Sequence, residues 1–339
     1  AADTQRLLGE DVVRRFGSQL PFLLKLIAPE QALSLQVHPS MEQAIEGYRR
    51  ENEAGLALDD PDRSYKDANH KPEMVLALTR YDAVAGFRAP RRAAEVLTGL
   101  DAVLAHRMRR TLRLNPTRFG IRQVFSELVS TGTRPTSAEI DELVCEIVAR
   151  LERGGSPSRR ADANAVLMAR TFPGDPGVAA ALLLNPVTLQ PGEALFVPAG
   201  SVHAYISGLG VEIMASSDNV LRAGLTTKHV DVPSMLACVD YVAAPPVRPA
   251  PEYLSRATRA YYAPVDDFEL LVTEVVPADG RVQVPGRGPR IALALEGATT
   301  ITTPAGQAEL ERGQALFIGA DERVLAVEGD GVVVQADVP

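Results

Sequence analysis

The sequence predicts a mainly β protein of two related β-sandwich units, the first interrupted by an all-helical insertion. Three observations carry this. Short apolar runs punctuated by Pro and Gly fill residues 18–89 and 186–339, the texture of strands and turns. From about residue 92 to 184 the apolar spacing changes to the i, i+3, i+4 rhythm of half-buried helices. A segment also recurs. Leu189-Gln-Pro-Gly-Glu-Ala-Leu-Phe-Val-Pro-Ala-Gly200 returns as Leu310-Glu-Arg-Gly-Gln-Ala-Leu-Phe-Ile-Gly-Ala-Asp321, with Leu, Gly, Ala-Leu-Phe and Ala held in register at an offset of 121 residues.

The first unit opens with two short strands in residues 18–38. In the second, Leu33, Leu35 and Val37 alternate with Ser34, Gln36 and His38, so each set occupies one face. Residues 41–58 read as helix or loop and Asp59–Asp67 as a polar surface loop. His70-Lys71-Pro72-Glu73 then leads into a strand over Met74–Leu78. Within the helical stretch, Thr136 and Glu139 make a capping box. The stripe Ile140, Leu143, Val144, Ile147, Val148 and Leu151 follows it, until Gly154-Gly155-Ser156-Pro157 breaks the chain. The expected boundaries are 1–89 for the first part of the first unit, 90–185 for the insertion, 186–242 for the rest of that unit, and 243–339 for the second. A Pro/Ala linker, Ala243–Pro251, joins the two units.

Composition narrows the function classes. The chain has 339 residues, of which 46% are hydrophobic and 23% charged, so a packed core is expected and wholesale disorder is excluded. No apolar run reaches the roughly 18–20 residues that span a bilayer. A net charge of −8 disfavours nucleic acid as a partner. Two cysteines cannot make a disulfide framework, and no secretory signal is read in the opening residues, so a cytoplasmic protein is expected. A monomer is expected, with self-association as the alternative.

Rare residues mark the functional segments. The 35 basic residues comprise 31 Arg and only 4 Lys. Lysine retained in such a chain points to a need for a compact, flexible ammonium. Lys25, Lys71 and Lys228 lie in the same Pro-, Gly- and His-marked segments that hold His38, His70, His203 and His229. Gln36 and His38 share a strand face, Glu73 opens another strand, and His203 follows the turn Pro-Ala-Gly-Ser-Val. Two imidazoles, a carboxylate and an amide oxygen suit a divalent metal such as zinc, with positions left for water or substrate. The repeat offset puts Val324 where His203 stands, so the second unit is expected to hold no metal. A second polar cluster, Asp218 to His229, offers Arg222 and Lys228 to a phosphate or an oxyanion.

These segments resemble the type I mannose-6-phosphate isomerases (phosphomannose isomerases) of the cupin superfamily. The resemblance is carried by Leu-Pro-Phe-Leu-Leu-Lys25, Leu-Ser34-Leu-Gln36-Val-His38-Pro-Ser40, Asn69-His70-Lys71-Pro72-Glu73, Phe-Val-Pro-Ala-Gly-Ser-Val-His203-Ala-Tyr205 and Ser217-Asp218-Asn219-Val-Leu-Arg222-Ala-Gly224-Leu-Thr-Thr-Lys228-His229. It implies cupin-type jelly rolls and one zinc ion per chain, held by Gln36, His38, Glu73 and His203. It implies a phosphosugar substrate, mannose 6-phosphate interconverting with fructose 6-phosphate. His70, Lys71, Asp218 and Arg222 match the family's proposed catalytic and substrate groups; Lys25, Ser34 and Lys228 match its candidate phosphate binders. The family carries further residues, including a Trp-containing stretch, ahead of the Leu-Pro-Phe segment. This chain starts near that segment and has no Trp, so a first jelly roll short of edge strands is expected.

An aldose–ketose isomerisation moves a proton between C2 and C1 through a cis-enediolate. A divalent Lewis acid suits the charge and a general base must carry the proton. His70 and Lys71 are both candidates for that base, and the residues alone do not choose. Two other functions fit parts of the pattern. His38, Glu73 and His203 also satisfy the two-histidine, one-carboxylate description of an iron(II) dioxygenase, which leaves the Lys and Arg cluster unexplained. A non-catalytic sugar-binding cupin predicts binding without turnover.

Overall fold

The computed structural model describes residues 2–339. Nine strands build the first unit: β1 (Phe22–Ile27), β2 (Leu35–Val37), β3 (Glu73–Ala77), β4 (Tyr81–Phe87), β5 (Leu184–Leu189), β6 (Ala194–Val197), β7 (His203–Ser207), β8 (Gly210–Ala215) and β9 (Leu221–Gly224). They form two antiparallel sheets, ordered β1-β8-β3-β6 and β5-β4-β7-β2-β9. The sheets face each other. Val75 and Ala77 of β3 meet Ala83 and Ala85 of β4, Val187 of β5 and Tyr205 of β7 in one buried cluster. Met74 and Leu76, on the other face of β3, enter a different core. All of β3 is therefore buried, which is why its sequence is an unbroken apolar run rather than an alternating one.

Ten helices accompany the strands: α1 (Ala2–Leu8), α2 (Glu10–Phe16), α3 (Met41–Glu53), α4 (Pro90–Val96), α5 (Val103–Leu114), α6 (Arg118–Val129), α7 (Ser137–Glu152), α8 (Arg159–Thr171), α9 (Pro176–Ala181) and α10 (Val232–Cys238). Helices α4–α9 are the block between β4 and β5. The α7 capping box forms as its sequence implies: Glu139 N–H donates to Thr136 Oγ1 and Thr136 N–H to Glu139 Oε2. Ile140, Leu143 and Ile147 of the stripe are fully buried. The block lies on the outer face of the five-stranded sheet, where Leu104, Phe125 and Ile147 share a core with Leu35 and Val37 of β2 and Leu221 of β9. Buried Arg150 binds Asp162 through Nε at 2.9 Å and Nη2 at 2.5 Å, and its Nη1 donates to the carbonyls of Val96 and Thr98. That fork ties α7 to α8 and to the end of α4.

The C-terminal strands are β10 (Glu252–Tyr253), β11 (Thr258–Tyr262), β12 (Glu269–Val275), β13 (Val282–Val284), β14 (Arg290–Thr303), β15 (Gly306–Glu311), β16 (Ala315–Ile318) and β17 (Leu325–Asp337). They run β10-β11-β12-β17-β14-β15, with β13 on β17 and β16 on β14. The long strands β14 and β17 fold this sheet around its own core, which includes Leu271, Ile301, Leu310, Leu325 and Val333. Phe268, Leu270, Val272 and Val334 instead pack with Phe22, Met74, Leu76 and Ile213 on the outer face of the four-stranded sheet. The order of layers is helices, five-stranded sheet, four-stranded sheet, C-terminal sheet.

Both copies of the repeated segment make a turn and a four-residue strand, β6 and β16. Three elements have no counterpart in the sequence reading: α1, α2 and α10, each of seven residues and too short to show helical periodicity. Strand β2 is shorter than its alternation implies. The register shifts between Leu35 and Gln36, and Leu33 lies before the strand, 37% exposed. No helix among the described residues is long and apolar enough to cross a membrane.

Candidate metal centre

The register of the five-stranded sheet assembles one side of the site. Gln36 of β2 pairs with His203 of β7 on one flank and with Arg222 of β9 on the other. Cross-strand neighbours present side chains to the same face, here the face toward the other sheet, and His38, two residues on, joins them. The other side comes from the facing sheet, where Glu73 shares the inward face with Val75 and Ala77. A turn fixes His203. Gly200 has φ +81° and donates its N–H to the His38 carbonyl at 2.9 Å. A Cβ at this position would lie 3.2 Å from both Asp240 Cβ and the Cys238 carbonyl oxygen, so the turn needs glycine.

His38, Glu73 and His203 are buried, and one ligand atom from each lies within 4.8 Å of the others. His38 Nε2 is 3.1 Å from Glu73 Oε1, and His203 Nε2 is 3.3 Å from Glu73 Oε2. The Gln36 side-chain amide is 3.3 Å from His203 Nε2. Each imidazole spends its other nitrogen on a backbone carbonyl: His38 Nδ1 donates to Asn219 at 2.8 Å and His203 Nδ1 to Ser201 at 3.0 Å. Because a carbonyl only accepts, both rings carry hydrogen on Nδ1 and turn their Nε2 lone pairs inward. Among the described residues His38 Nε2 has no hydrogen bond, despite its nearness to the carboxylate. Two lone pairs and a carboxylate aimed at one buried point repel one another unless a cation lies between them. Backbone carbonyls holding the far nitrogens are also the usual support for metal-bound histidine. Two imidazole nitrogens and a carboxylate are a donor set that fits zinc.

Burial pushes the His38 imidazole down to about 4, which keeps it a neutral ligand. Burial acts to raise Glu73, but His38 and the Lys71 ammonium outweigh it and hold the carboxyl well below its ordinary range. Lys71 Nζ lies 3.2 Å from Glu73 Oε1 and is itself buried. Tyr205 Oη donates to Glu73 Oε2 at 3.4 Å.

The other sequence-selected residues lie outside this buried cluster. Arg222 stands beside Gln36 in register; burial lowers the pKa of its guanidinium, and among the described residues its side chain makes no hydrogen bond or ion pair. Lys25 of β1 is half-exposed, with Nζ 4.0 Å from Glu212 Oε2. His70 Nε2 is bonded to Asp267 of the C-terminal unit. Ser34 precedes β2 and is half-buried, and Asp218 is exposed, with its backbone N–H donating to Asp67 at 2.8 Å. Lys228 is exposed, and no hydrogen bond or ion pair links its side chain to the cluster among the described residues.

Three polar residues received no role from the sequence. Glu212, buried opposite Lys25, is pushed up to about 8 by burial and by the Glu73 carboxylate. A lone acid inside the apolar run Gly210–Ala215 was its signal. Buried Asn219 joins the segments on either side of the site: its Oδ1 accepts from Lys66 N–H, and its Nδ2 donates to the Asp67 and Asn69 carbonyls. Asp267 gives no local signal, because its partner is 197 residues away.

Residues 1–90 match the family described as phosphomannose isomerase type I, catalytic domain. Over 338 residues the chain is 34% identical to the mannose-6-phosphate isomerase of Escherichia coli K12, spanning 97% of this chain and 82% of that protein. The chain belongs to the mannose-6-phosphate isomerase family. The human member is 34% identical over 346 residues, spanning 95% of this chain and 78% of the human one. A zinc-bound mannose 6-phosphate isomerase superposes with a TM-score of 0.88 at 33% identity, over 99% of this chain and 83% of that one. A single-residue variant of the Salmonella typhimurium phosphomannose isomerase gives a TM-score of 0.87 at 32% identity, over 99% and 83% of the two chains. Family membership bears out the resemblance carried by the sequence motifs.

Proposed function

We propose that the protein is a zinc-dependent isomerase interconverting mannose 6-phosphate and fructose 6-phosphate. The observation that carries this reading is the buried His38–Glu73–His203 cluster with its inward lone pairs, flanked by the cations Lys71 and Arg222. Gln36, His38, Glu73 and His203 are the metal ligands in this reading, one zinc per chain. The first unit, 1–89 with 186–242, is a catalytic cupin jelly roll, 90–185 its helical insertion, and 243–339 a metal-free jelly roll. Sheets that face each other in the first unit, and the repeat shared by β6 and β16, support that division. Two free cysteines support a cytoplasmic setting.

Bound zinc supplies Lewis-acid stabilisation of negative charge as the open-chain sugar becomes a cis-enediolate. The protein's own groups do the rest. His70 and Lys71 are placed by one extended segment whose Pro72 restrains Lys71 from helical geometry. One of them takes the proton from C2 and returns it to C1. Among the described residues Arg222 has no partner for its guanidinium, so its donors are free for an oxyanion of the substrate. Exposed Asp218 orients a sugar hydroxyl in this reading. Lys25, Ser34 and Lys228 bind the phosphate in this reading; Lys25 and Lys228 hold their ammonium groups in exposed positions, which supports it.

A coupled assay for fructose 6-phosphate formed from mannose 6-phosphate tests the proposal. Turnover that a chelator abolishes and zinc restores supports it. Binding of the phosphosugar without turnover by the zinc-loaded protein, or oxygen consumption with iron(II) in place of isomerisation, contradicts it.

A further inference from the structure

Asp267 lies in the connection between β11 and β12, in the C-terminal unit, yet it reaches His70 of the first unit. Both of its carboxylate oxygens face His70 Nε2, at 3.0 and 3.1 Å. Its side chain is 5% exposed and that of His70 is 23%. Among the described residues His70 is its only side-chain partner: no cation balances it, and no backbone N–H donates to it. Burying a carboxylate against a single imidazole opposes folding unless something else is gained. The connection is also held on both sides. Phe268 is fully buried in the core shared with β1 and β3. The Asp266 carbonyl accepts from Arg15 Nη2 of α2 at 2.9 Å. The carboxylate is therefore fixed relative to β3, which begins three residues after His70.

We infer that Asp267 is a positioning residue for His70. An ionised carboxylate accepts only, so Nε2 carries the ring hydrogen and Nδ1 keeps its lone pair. Among the described residues Nδ1 has no hydrogen bond. Within the isomerase reading, on which the inference rests, His70 Nδ1 takes the proton from C2 and gives it back to C1. Asp267 steadies the ring and the transient imidazolium, and stays unprotonated throughout. The second unit has Val324 where the first has His203 and so lacks that histidine; it contributes this carboxylate to His70 of its neighbour instead.

The test uses the full chain loaded with zinc. Asp267→Asn should lower kcat about 100-fold, the scale of lost general base catalysis. KM, zinc content and melting temperature should stay near those of the parent. His70→Gln should fall at least as far, and the double variant should be no worse than His70→Gln, because Asp267 acts only through that ring. Nitrogen NMR of labelled imidazoles gives a readout independent of activity. There are only five histidines, and the His70 signals are those lost in His70→Gln. The parent should show Nε2 protonated and Nδ1 bare, and Asp267→Asn should change that ratio. Losses that multiply in the double variant overturn the inference, as does a parent ring protonated on Nδ1. Full turnover by His70→Gln overturns it while leaving the isomerase reading intact. Absence of isomerisation in the parent removes that reading instead, and the tautomer alone then decides whether Asp267 sets the ring.

Discussion

Lys71 and Arg222 show how much depends on the chemical type of one side chain. In a chain with 31 arginines, a buried lysine 3.2 Å from a ligand carboxylate is a deliberate exception. Lys71→Arg keeps the charge but puts a planar fork where a compact ammonium fits. Its kcat should fall at least about 100-fold with zinc still bound, as loss of acid–base catalysis or of close substrate contact implies. Steady-state rates near the parent's would reduce Lys71 to a counter-ion for Glu73. Arg222→Ala should also cost on the order of 100-fold in kcat, the scale of losing one preorganised donor. Since no group among the described residues relies on its guanidinium, the variant's melting temperature should be unchanged. The cluster of His38, Glu73 and His203, with Gln36 beside it, was legible in the sequence because residue type and two-residue spacing on strands suffice to select it. Glu212 and Asp267 were not, because their importance lies in burial and in a partner from a distant segment.

At the scale of elements, two neighbouring strands carry a conflict that pH should expose. Glu269 of β12 stands directly opposite Asp337 of β17. Burial pushes Asp337 up to about 6, and burial together with Asp337 pushes Glu269 up to about 7. A carboxyl raised in the folded state binds more protons there than in the unfolded chain, so stability falls as pH rises through the interval from about 4 to about 7. Glu269→Gln removes one of the two charges. Its melting temperature should match the parent's near pH 4 and exceed it by on the order of 2 °C near pH 8; a difference that does not change with pH contradicts the linkage. In the helical block the Arg150–Asp162 fork is a buried pair whose breaking leaves a charge uncompensated. Arg150→Met should cost about 3–5 kcal/mol in denaturant unfolding, and a loss below about 1 kcal/mol would show that Asp162 finds another partner. The capping box of α7 was legible because its partners lie three residues apart, whereas the Arg150–Asp162 fork depends on how two helices pack.

For the whole molecule, the layers explain why the site lies where it does. The metal ligands come from the inner faces of two opposed sheets, the helical block covers the outer face of one, and the C-terminal sheet covers the outer face of the other. The change from strand to helical rhythm and the internal repeat made this division readable from sequence. The docking of the C-terminal sheet through Phe268, Leu270 and Val272 was not, because a strand buried on both faces shows no alternation to say what covers each. The isomerase proposal stands or falls on one buried cation held between His38, Glu73 and His203. The most direct test strips the protein with a chelator and titrates zinc back while following fructose 6-phosphate production. Activity should rise linearly and reach its plateau at one zinc per chain, and His203→Ala should neither retain that zinc nor regain the rate. Full isomerase activity in metal-free protein, or a plateau only at two zinc ions per chain, would contradict the account.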